Sequence, residues 1–281
     1  MKRSLLAIAL GLMLSAGTAN AEQLDSFSML NPSTATFYTI DELDWSTSGS
    51  GLAEGLTVGT LTAGTNFTFD YQAFLAAGNL NSAPVAGFNT GLNTLFEYTV
   101  VAKFNETVVD GSTGAPLDTA IFKTLGGSWA IYESAANAVV GTGVGFDDGT
   151  LVASGTINPD QFSSFTPTSA TSGIGSAIIE GLISSINTAF LDDVGVGTGL
   201  PLFDFRFEGS QNIPAGTSTT TGFFIGGSPT VYPDVIVGSD DILFKVDGSS
   251  KFSVVPEPST YLLFGIGLLG LIGYSRKRRE N

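Results

Sequence analysis

The chain has 281 residues, 43% of them hydrophobic and only 13% charged, a balance that excludes a disordered chain and leaves enough length for a real β core. A net charge of −15 excludes a nucleic-acid binder, which must set cations against phosphate. Cysteine and histidine are both absent, which excludes disulfides, thiolate metal sites, thiol catalysis and any Ser-His-Asp triad.

In chain order, residues 1–21 read as a secretory signal peptide. Lys2 and Arg3 form the positive start, residues 5–14 an apolar run, and Ala19 and Ala21 the small-x-small cleavage site. The pattern predicts export by the Sec machinery and cleavage before Glu22.

The body, taken as residues 22–253, alternates between apolar and polar residues at a period of two, the mark of half-buried strands. Residues 65–71 put Phe67, Phe69 and Tyr71 on one face, and residues 202–208 do the same for Phe203, Phe205 and Phe207. Residues 96–109 predict one long strand or a hairpin. Shorter candidates are 36–40, 56–61, 129–133, 151–157, 221–225, 234–237, 242–246 and 251–255. Residues 176–190 instead place Ile179, Leu182, Ile183, Ile186 and Phe190 at helical spacing, which predicts a helix. A weaker helix is readable over 70–77. The expected fold is mainly β: an antiparallel β-sandwich with one covering helix. An outer-membrane barrel also alternates, but usually ends in a strand rather than in a helix with basic residues.

Residues 254–281 form a tail in three parts. Pro256, Glu257 and Pro258 come first; the two prolines enforce an extended entry. An apolar run follows, and residues 259–275 would span roughly 25 Å as a helix, short against a bilayer core of about 30 Å. Arg276, Lys277, Arg278 and Arg279 close the chain and mark a cytoplasmic end, so the body lies outside the inner membrane.

This tail resembles the PEP-CTERM sorting signal in its Pro-Glu-Pro letters, its short apolar helix and its terminal basic cluster. The resemblance implies an exosortase as processing partner, a transient stay in the inner membrane facing the periplasm, and delivery to the cell surface or extracellular matrix. Residues 230–252 are loosely similar to the closing segment of flocculation-associated proteins of this kind.

Chemistry within the body is sparse. Asp147, Asp148, Asp240 and Asp241 sit in turn-like sequences and are weak calcium candidates, with ordinary β-turn roles as the simpler reading. No cofactor is otherwise expected. Tyr71, Trp129, Tyr132 and Tyr232 could stack on sugars if exposed, though aromatic residues on strands are mostly core. Asn66 and Asn105 begin glycosylation sequons by pattern. The expected function is non-enzymatic: a structural or adhesive protein of a biofilm, floc or exopolysaccharide matrix. The alternatives are a secreted carbohydrate-active enzyme with two close carboxylates, or a permanently anchored periplasmic protein.

Overall fold

Strand pairing in this chain closes on itself. The computed structural model describes residues 22–23, 26–56, 61–113, 115, 117–169, 172–192, 199–211, 220–227, 232–239 and 241–256. Its strands are β1 (Glu22–Gln23), β2 (Phe27–Asn31), β3 (Thr36–Ile40), β4 (Glu42–Glu54), β5 (Asn66–Leu80), β6 (Ala83–Pro84), β7 (Glu97–Asp110) and β8 (Ala120–Ser134). They continue with β9 (Thr150–Ile157), β10 (Phe162–Ser169), β11 (Ser172–Ile186), β12 (Leu191–Asp192), β13 (Gly199–Gln211), β14 (Gly222–Phe223), β15 (Val235–Ile236) and β16 (Ile242–Pro256). One short helix, α1 (Ala86–Asn89), precedes β7.

The long strands pair antiparallel in the order β4, β5, β7, β8, then β9 and β10 sharing one position, then β11, β13 and β16. β16 pairs back onto β4, with Ile242 opposite Ala53 and Ser250 opposite Leu43. The ring has eight positions, so the body is a closed barrel and not two stacked sheets. A barrel of this size has an interior that side chains can fill or that can hold one small guest.

The interior is apolar. Tyr71, Ala73 and Leu75 of β5, Tyr98, Val100 and Ala102 of β7, and Trp129 and Ile131 of β8 share one core with Trp45 and Val246. Trp45 donates its Nε1–H to Ser250 Oγ at 2.7 Å, which satisfies the indole inside the barrel. Outward positions include Asp70, Gln72, Lys103 and Asn105. Among the described residues no helix is long and apolar enough to cross a membrane.

Residues 176–186 belong to β11, so the helix expected over 176–190 is corrected. Ala177 and Ile179 turn inward while Ile174, Ile178 and Leu182 are exposed. Gly181 settles the matter physically: a Cβ there would lie 2.7 Å from Trp129 Nε1, so the barrel wall is built around this segment as a strand. Pairing with β13 from Gly173 to Leu182 outweighs a helical spacing that isoleucines also satisfy by alternation. The weaker helix over 70–77 is likewise strand, within β5. Most of the strand expected over 56–61 lies outside the described residues; Leu61 makes an isolated bridge to Ser112.

Two additions complete the molecule. At one end, the small sheet β12-β2-β3 and α1 plug the barrel with Phe27, Met29, Ile40, Phe88 and Leu191. Along one outer wall, residues 138–146, 220–227 and 232–237 lay Phe146, Phe223, Phe224 and Tyr232 over Leu52, Val101, Ala130 and Leu243.

Candidate functional site

β16 crosses the whole barrel from the open end to the plug end. Ile242 lies beside Ala53, whereas Phe252 stacks edge-on against Phe27 of the plug at 4.7 Å. The strand ends at Pro256, the first residue of the Pro-Glu-Pro sequence. Gly199 of β13 pairs with Pro256, and β1 sets Glu22 opposite Val254 and Gln23 opposite Ser253. Glu22, the residue expected to follow signal cleavage, therefore lies beside the start of the tail. Ala19, Ala21, Glu257, Pro258, Arg276, Lys277, Arg278 and Arg279 lie outside the described residues.

The acidic turns do not converge. Asp147 is buried, and Gly227 packs so closely on its carboxylate that no Cβ fits between them. Asp148 is exposed and accepts from Asn137 Nδ2 at 3.1 Å. Asp241 accepts the Gly55 N–H at 2.9 Å and the Gly238 N–H at 2.8 Å, the loop-pinning role that Asp commonly has in turns. Asp240 lies outside the described residues. Among the described residues no three acidic side chains are placed to share a metal ion. Tyr71, Trp129, Tyr132 and Tyr232 are all buried, so they serve as core and offer no stacking platform. Asn66 and Asn105 are both exposed.

A charged trio lies on the outer wall. Lys103 Nζ sits 2.7 Å from Glu54 Oε1 and 2.8 Å from Asp70 Oδ1. Asp70 has no exposed side-chain surface; burial, and then Glu54 beside it, push its carboxyl up to about 8. Burial opposes ionisation of the half-exposed Glu54 too, but its hydrogen bonds to Asp70 and Lys103 outweigh it and hold the group below its usual range. The pair carries roughly one negative charge against one lysine.

The interior holds a different kind of site at the end away from the plug. Phe67, Phe69, Phe104, Phe122, Phe165 and Phe244 surround a cavity of about 80 Å³. Phe67 meets Phe122 edge-on at 5.5 Å, and Phe244 meets Phe165 at 5.9 Å. The space exists because Ser163 and Ala177, paired across β10 and β11, are small where the facing wall is aromatic. Glu106 of β7 turns its carboxyl into this apolar space and is only 4% exposed. Ser163 Oγ donates to Glu106 Oε1 at 3.1 Å. Burial pushes the Glu106 carboxyl up to about 7, offset only in part by the hydroxyls of Ser163 and Thr124.

A bulge in β8 shapes this end. Asn105 pairs with Gly126 and Glu106 with Thr124, so Leu125 is the extra residue. Gly126 takes φ +111°, a conformation that glycine adopts without strain. The bulge turns Leu125 out and brings Thr124 inside beside Glu106. Neither Glu106 nor Ser163 stood out in the sequence. The available signal was an acid standing between Phe104 and Val108 on the apolar face of the strand.

Comparison with protein families matches residues 254–279 to the PEP-CTERM protein-sorting motif. Comparison with curated proteins and with solved structures finds no match. The motif implies an exported protein with an exosortase as its processing partner, bound for the cell envelope or surface, in agreement with the tail read from sequence.

Proposed function

We propose that this protein is a structural or adhesive component of an extracellular matrix, held briefly at the inner membrane and then released by exosortase cleavage of its tail. The carrying observation is the sorting motif at residues 254–279, which starts on the last strand of the barrel with no linker between them. While anchored, the barrel stands with its plug end toward the bilayer and the Glu106 cavity away from it. Once released, its acidic surface binds exopolysaccharide through bridging divalent cations. The net charge of −15, with six of eleven cations confined to the two ends, supports that reading.

The test replaces Pro256, Glu257 and Pro258 by alanine and follows the protein in its host. The expected result is retention in the membrane fraction with Arg279 still attached, and reduced cell aggregation. Release of a normally processed protein by the triple variant overturns the sorting reading. Normal aggregation despite complete retention overturns the matrix role alone.

A further inference from the structure

Glu106 is difficult to explain as a structural residue. A carboxyl inside a barrel of phenyl rings is desolvated, and such a group stays only where partners compensate it. Here the Ser163 hydroxyl donates to it at 3.1 Å, the Thr124 hydroxyl lies beside it, and six aromatic side chains line the remaining wall together with aliphatic residues and two further serines. An apolar residue at this position would fill the void and remove the desolvation cost together.

The polar chemistry of the cavity defines what it can take. Ser163 spends its proton on Glu106, so once Glu106 is ionised, above about pH 7, both groups face the space as acceptors. A guest must therefore donate a hydrogen bond to them and lay an apolar body against the rings. A carboxylic acid in its ionised form would meet Glu106 as a like charge. The volume of about 80 Å³ is roughly half that of the ~150 Å³ apolar cavity known to admit benzene. It fits a guest of about four or five non-hydrogen atoms, and the relation of void to lining is that of a small-ligand barrel.

We propose that the end of the barrel away from the plug is a binding site for a small molecule with an apolar body and one hydrogen-bond donor, a short alcohol or amine. Glu106 receives the donor, Ser163 orients the carboxyl, and the rings exclude water from the contact. The site is independent of tail processing, so it stands or falls apart from the sorting function.

The experiment uses the full chain in lipid nanodiscs with its alanine methyl groups isotopically labelled. Ala53 and Ala177 line the cavity, whereas Ala73 packs higher in the barrel and Ala130 faces the outer layer. Titration at pH 8, where Glu106 is ionised, with 1-butanol or n-butylamine is expected to shift the Ala53 and Ala177 methyl signals saturably and to leave Ala130 in place. Propionate, with the same five non-hydrogen atoms, is expected to shift neither at the same concentration. Saturation by butylamine alone assigns the site to cationic donors, and saturation by butanol alone to neutral ones. Glu106→Leu, with unchanged Ala73 and Ala130 signals as proof of folding, is expected to weaken binding at least tenfold. Should that variant not fold, Ala177→Leu fills the cavity and is expected to abolish the shifts. Absence of saturable shifts with both probes, equal shifts with propionate, or affinity within twofold in the folded variant overturns the proposal.

Discussion

The two ends of the barrel solve the same problem in opposite ways. Both must finish an apolar interior where the strands stop. At the plug end, Asn31 is fully buried and completely used. Its Nδ2 donates to the carbonyls of Gly87, Phe88 and Thr90, and its Oδ1 accepts from the Ser33 and Thr34 N–H groups and from Ser33 Oγ. Tyr98 adds a bond from its hydroxyl to the Leu30 carbonyl at 2.7 Å. At the other end, Glu106 faces a void with only the Ser163 and Thr124 hydroxyls beside it. One buried polar group ties a lid shut; the other is left with capacity to bind. The contrast shows that burial alone does not reveal a polar residue's role, whereas the number of partners around it does.

The largest expected effect breaks the plug. Asn31→Ala leaves the buried Phe88 carbonyl and the half-buried Gly87 carbonyl short of a donor, while the Thr90 carbonyl and the Ser33 and Thr34 N–H groups lie where water can replace it, at about 1–3 kcal/mol for each group that water cannot reach. The expected loss is about 3–5 kcal/mol of stability, seen as a fall in the urea midpoint. A loss below about 1 kcal/mol would mean that water enters the plug freely and that the two ends do not differ.

The next effect sharpens the contrast from the cavity side through pH. Glu106 is raised in the folded state from the ordinary 4.5 to about 7. The folded chain then binds the proton more tightly than the unfolded one. The stability this group contributes is full below about pH 4.5 and is lost as pH rises through 7. Glu106→Leu removes that loss. The variant is expected to gain up to about 3 kcal/mol over the wild type at pH 8 relative to pH 5. Asp70, raised to about 8, titrates in the same direction in both proteins and cancels in the difference. Urea midpoints at the two pH values measure it, and an equal midpoint difference at pH 5 and pH 8 would contradict a buried, proton-binding Glu106.

Parts of this arrangement were legible in the sequence. The alternation over 96–109 became β7, and the phenylalanines of 202–208 fell within β13. The tail was legible because its three parts are contiguous and chemically distinct. β4 was not, because its Ser-Thr-Ser-Gly-Ser-Gly stretch has the composition of a loop. Gly49 and Gly51 are there for space: a Cβ on Gly51 would stand 2.7 Å from the Phe69 ring and 2.8 Å from a Val246 methyl. Closure was illegible for a related reason. It depends on β16 meeting β4 across almost the entire body, and no local pattern carries a pairing that distant. The same gap hid the cavity, since Ser163 and Ala177 are unremarkable until β10 and β11 set them opposite the rings.

The smallest expected effect concerns a third buried polar group, which lies between the two extremes. Gln72 points outward from β5 into the covering layer, where its Nε2 donates to the Gly222 carbonyl and its Oε1 accepts the Phe224 N–H, each at 3.1 Å. Both amide atoms are used, as at the plug, but they hold a loop to the wall and not a lid to the interior. Gln72→Leu keeps much of the volume and leaves two backbone groups without those partners, so about 2 kcal/mol is the expected local cost. The loss should stay in the outer layer, because Phe223, Phe224 and Tyr232 pack on the barrel from outside while its closing strands pair independently of them. Hydrogen exchange checks this directly. Amides of Gly222 and Phe224 should exchange about thirtyfold faster, while those of β7 and β8 keep their protection. Equal acceleration in β7 would show that the layer and the barrel unfold as one unit, and the wall would then be as integral to the fold as the plug.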